Sequence, residues 1–156
     1  MGMTVTFTKL TSAELALVIG DPEQVSDILW RPPTGDGPSG SVDKAIDGIQ
    51  FLLAAAGVPI NLAPEQMPGE PIPTEDGEIY FGFSADEVAT IAPHLEATPF
   101  DTLAPHFSPE RLNQQGVQPA PWEADDLDYL EENYHILVSF FADASRTGSA
   151  ALLSCG

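Results

Sequence analysis

The stretch WEADDLDYLEENYHILVSFFADASRTG, residues 122–148, carries six acids in its first eleven positions and then turns largely apolar. Set at 100° per residue, its side chains sort into two apolar groups and one polar strip. Leu127, Leu130, Tyr134, Leu137, Val138 and Phe141 fall together, with Tyr129, Ile136 and Phe140 roughly opposite. Asp128, Glu131, Glu132, His135 and Asp143 occupy what is left. A helix apolar on two sides must be buried on two sides, so this segment is expected to be the central helix, with one wet edge. Acids in its first turns are favoured by the helix dipole, by ~0.3–1 kcal/mol each. Glu131 and His135 stand four apart, which makes a carboxylate–His metal pair conceivable. Further ligands would have to come from another element, and no partner motif is visible.

Working outward, MTVTFTKL (3–10) alternates with period two and reads as a strand. SAELALVIG (12–20) reads as a helix capped by Thr11 or Ser12 and ended by Gly20. DPEQVSDILW (21–30) restarts as a helix from Asp21 and Pro22. SVDKAIDGIQFLLAAAG (41–57) is expected to be helical from a Ser41 cap to a Gly57 stop. Gly48 inside it costs up to ~1 kcal/mol relative to Ala, a cost that close packing of a neighbour would explain. Prolines 59, 64, 68, 71 and 73 make residues 58–77 a long loop with little room for hydrogen-bonded structure. EIYFGF (78–83) reads as a strand, and Ser84 with Glu87 as the capping box of the helix after it. Thr98–Pro99 and Ser108–Pro109 repeat a cap-then-Pro start, VQPAPW (117–122) is an extended bridge, and SAALLSCG (149–156) is a final strand. Three strands and six or seven helices without a βαβ rhythm give an α+β domain over residues 1–156. Its N-terminal, central and C-terminal strands are expected to be neighbours in one small, mostly antiparallel sheet.

Five Lys/Arg against 24 Asp/Glu give a net charge of −19, and the eleven acids between Lys44 and Arg111 are not interrupted by one Lys or Arg. Such a field repels phosphate backbones and anionic membranes, so neither nucleic acid nor membrane is an expected partner. It would speed encounter with a basic protein. No apolar run approaches the ~20 residues of a membrane span, the N-terminus lacks a secretion-signal pattern, and the single cysteine is Cys155. The chain reads as a cytoplasmic protein.

The catalytic motifs fail one by one. GDGPSG (35–40) satisfies G-x-G-x-x-G, but no strand precedes it and Asp36 would face the pyrophosphate. MGMTVT (1–6) matches a myristoylation pattern on residues that read as a buried strand. His94 and His106 recur in APH triplets twelve apart, a spacing that fits no metal motif. Cys155 has no nearby base. No catalytic residue, cofactor or bound metal is expected.

Taken in order, the opening strand, DKAIDGIQFLL (43–53), FSADEVATIAPHL (83–95), FSPERLNQQGVQPAPW (107–122) and the block from DLDYLEENYHILVSFF to SCG resemble the bacterial YfbM-like family. The resemblance covers nearly the whole chain. It departs at 58–77, which is Pro-rich here and Gly-rich in the family, and at Ile46, where the family carries a larger residue such as Trp. It implies a single α+β domain of unknown function and carries no catalytic residues across.

By analogy of class, a small acidic protein without catalytic motifs suggests a non-catalytic binding protein, such as an immunity-type inhibitor of a basic toxin enzyme (a nuclease or an ADP-ribosyltransferase). Its expected contacts are Asp128, Glu131, Glu132 and His135, with Glu75, Asp76 and Glu78 of the loop. The rival is a metal-dependent or acid/base enzyme that joins the strip to Asp43, Lys44 and Asp47. A third reading is a scaffold whose acidity is only solubilising. Oligomeric state is left open.

Overall fold

Alternation at Val5–Leu10 produces the first strand, β1, with Val5 and Phe7 buried on one face. The computed structural model describes residues 5–24, 42, 44–60, 70–73, 79–117 and 121–155. Helix α1 (Ser12–Gly20) follows, then α2 (Ile46–Ala55), strands β2 (Glu70–Pro73) and β3 (Ile79–Phe83), and helix α3 (Ala85–Glu96). A short α4 (Phe100–Leu103) runs into a 3-10 turn at Ala104–His106, followed by α5 (Pro109–Gln114). The long α6 (Asp126–Arg146) and strand β4 (Ala150–Cys155) complete the order.

The sheet runs β1-β4-β3-β2, every neighbouring pair antiparallel. Its register places Phe7, Leu153 and Phe81 in one cross-strand row, and Thr8, Leu152 and Gly82 in the next. Successive rows point to opposite faces. On the first face, Phe7 meets Phe141 and Phe140 of α6 with ring centroids 5.2 and 5.7 Å apart, and Phe83 at 6.1 Å. Leu52 and Leu53 of α2 and Val88 and Leu95 of α3 join the same core. The second face is covered by α1, whose Leu15 and Val18 pack with Leu10, Ile72, Ala150 and Leu152. Gly82 permits this approach, since a Cβ there would stand 2.8 Å from Leu15 Cδ1.

The α+β reading holds, with α6 as the long helix against the sheet and the N-terminal, central and C-terminal strands adjacent. Of the alternatives for α1, Thr11 is the cap: its Oγ1 accepts from Glu14 N while Glu14 Oε1 accepts from Thr11 N. The Ser84–Glu87 capping box and the Ser108 cap form as expected, and Gly57 closes α2 at φ +78°. Gly48 lies under Trp122 and Leu130: a Cβ there would stand 2.7 Å from Trp122 Cη2 and 2.9 Å from Leu130 Cδ2.

Three expectations need correction. Residues 58–77 are not wholly loop, because Glu70–Pro73 forms a fourth strand on β3. Proline cannot donate to a ladder, and β2 accommodates Pro71 and Pro73 because, among the described residues, it is an edge strand with one neighbour. Helix α2 begins at Ile46, not just after Ser41. Val42 N donates instead to Val5 O of β1, and Ala45 N to Val42 O, so this segment is a turn tied to the sheet. Thr98 does not cap α4: its Oγ1 donates back to His94 O, and Pro99 occupies the cap position. Val25–Trp30, Ser41, GDGPSG, Met1–Thr4 and the Pro of VQPAPW at 119 lie outside the described residues.

Candidate functional site

The wet edge of α6 is positioned by what surrounds it. Leu130, Tyr134, Leu137 and Phe141 are buried on one side and Phe140 on another, with Tyr129 and Ile136 half-buried. Asn133, also buried, donates through Nδ2 to Tyr129 O. Asp128, Glu132 and His135 are exposed and Glu131 is half-buried. Among the described residues, none of these four side chains makes a hydrogen bond or an ion pair. Asp143 departs from the expected strip. It is largely buried, bonded to Lys9 of β1 at 2.8 Å and to Arg146 on its own helix. The Lys9 ammonium holds its carboxyl below the usual carboxylate range against the opposing effect of burial, and Arg146 adds to the lowering.

Helix α3 is packed most extensively on α6 among the described helices, and its exit corner forms a cleft with the acidic edge. Tyr134 Oη donates to Thr98 O at 2.7 Å, with Leu95 O at 3.4 Å, which clamps the corner where α3 gives way to α4. Burial pushes this phenol up to about 12. The cleft, about 270 Å³, has Leu95, Pro99, Phe100, Tyr134 and Val138 among its lining, together with Glu96, Asp101, Glu131 and His135. The sequence placed Glu131 and His135 side by side, and the fold brings Glu96 and Asp101 to them. These two were missed because nothing local in ATPFDTL signals that the corner turns toward α6.

Of the other expected residues, Lys44 and Asp47 lie among those described. Lys44 reaches α6 through its backbone N–H, which donates to Tyr129 Oη at 3.1 Å. Tyr129 lies about 160° round the helix from Glu131 but only about 60° from Glu132. Asp43, Glu75, Asp76 and Glu78 lie outside the described residues. Among the described residues, no group of three or more His, Cys, Asp or Glu is placed to hold a metal ion. No described helix is long and apolar enough to cross a membrane.

No curated protein matches the chain. A solved structure, a protein of unknown function, YfbM from Escherichia coli, has a similar fold with TM-score 0.71, covering 99% of this chain and 100% of that one at 19% identity. At that identity the likeness concerns the fold. The sequence itself matches the family described as domain of unknown function DUF1877 over residues 1–154, and the chain belongs to that family.

Proposed function

We propose that the chain is a single, cytoplasmic, non-catalytic protein-binding domain for a basic partner, acting as an immunity-type inhibitor of a toxin enzyme would. The observation that carries this reading is the uncompensated edge of α6. Asp128, Glu131 and Glu132 are at or near the surface, and none is ion-paired among the described residues. The chain has five Lys/Arg, and two of them are already committed to Asp143. A third, Arg111, lies over the Phe51 ring at 5.7 Å. The edge therefore offers its charge outward, where it can steer a cationic surface into contact and lose that advantage as salt rises. Glu75, Asp76 and Glu78 extend the proposed contact set.

The test is affinity capture from the source cell at low salt. One bait is the wild-type protein and the other carries Asp128→Asn, Glu131→Gln and Glu132→Gln together. A basic protein held by the first bait, released by added salt and absent from the second is the expected result. Recovery of no basic protein, or equal recovery on both baits, rejects the reading.

A further inference from the structure

We draw no further inference here: the strongest candidate, the exposed apolar surface of α1 at Leu17 and Ile19, is split between two sides of the helix about 160° apart, and nothing in the structure shows what covers either.

Discussion

Gly48 shows how one missing methyl group can set the spacing of three elements. Alanine would gain up to ~1 kcal/mol of helix propensity, but overpacking a well-filled core costs ~1–3 kcal/mol. Whether the neighbour can yield decides the sign. Trp122 is pinned, its indole N–H donating to Val117 O at 2.7 Å and its backbone held on both sides by Asn113. Gly48→Ala should therefore destabilise by about 1–2 kcal/mol in a denaturant melt, against helix propensity. Tyr134→Phe leaves the Thr98 carbonyl without its phenol donor and should cost about 1–2 kcal/mol. The phenol's folded value lies above its unfolded one of 10, so its contribution is intact below pH 10 and declines as pH rises through about 12. An alkaline melt of the wild type should show this loss and the phenylalanine variant should lack that component. Asp143 has the opposite sign. Its folded value is depressed, so its stabilisation is present above the unfolded value near 3.9 and is lost as pH falls through the folded one. Asp143→Asn should cost about 1 kcal/mol at neutral pH, with the gap to wild type closing below about pH 4.

At the scale of elements, α6 was legible because its period is long and uninterrupted, and burial on two sides follows from Leu130, Tyr134, Leu137 and Phe140 alone. The caps at Ser84 and Ser108 were legible because a cap is a local hydrogen bond, and Thr11 was legible as one of two neighbouring candidates. The same local pattern misled at Thr98, whose hydroxyl turns back to His94 O. Strand β2 was not legible. Glu70–Pro73 is made a strand by the neighbour it lies against, through the register Ile72–Tyr80, and its prolines argue against strand everywhere except at a sheet edge. Helix α2 started late for the same kind of reason, since Val42 is held by a bond to β1 that no local pattern announces. The candidate site divides likewise: Glu131 and His135 follow from helical spacing, whereas Glu96 and Asp101 depend on how the Thr98 corner is clamped. The polar edge permits a test that separates binding from folding. Asp128→Asn with Glu132→Gln alters two exposed, unpaired side chains, so unfolding free energy should move by no more than about 1 kcal/mol, the contribution of a first-turn acid to the helix dipole. A large loss of stability would mean that the acids serve the helix itself.

Across the whole molecule, two interiors share one sheet. The face toward α6 gathers the aromatic side chains, and the face toward α1 a smaller aliphatic group. The acidic edge lies on the outer side of α6, so charge and sheet packing are separated by the thickness of a helix. This leaves the surface free to vary in charge while the interior keeps its shape.

The strand order carries a consequence for how the molecule comes into being. β4, the last element in the chain, lies between β1 and β3 in the middle of the sheet. A nascent chain emerging from the ribosome holds β1 and the β2–β3 pair before the strand that hydrogen-bonds to both has been made. Contacts between residues near 5 and residues near 155 must close almost the whole chain as a loop, which makes their formation late and slow. Ribosome-stalled chains should thus remain protease-sensitive through residue 149 and become resistant only when Ala150–Cys155 has cleared the exit tunnel. Protection at the shorter length would show that the two halves of the sheet hold together by some other route.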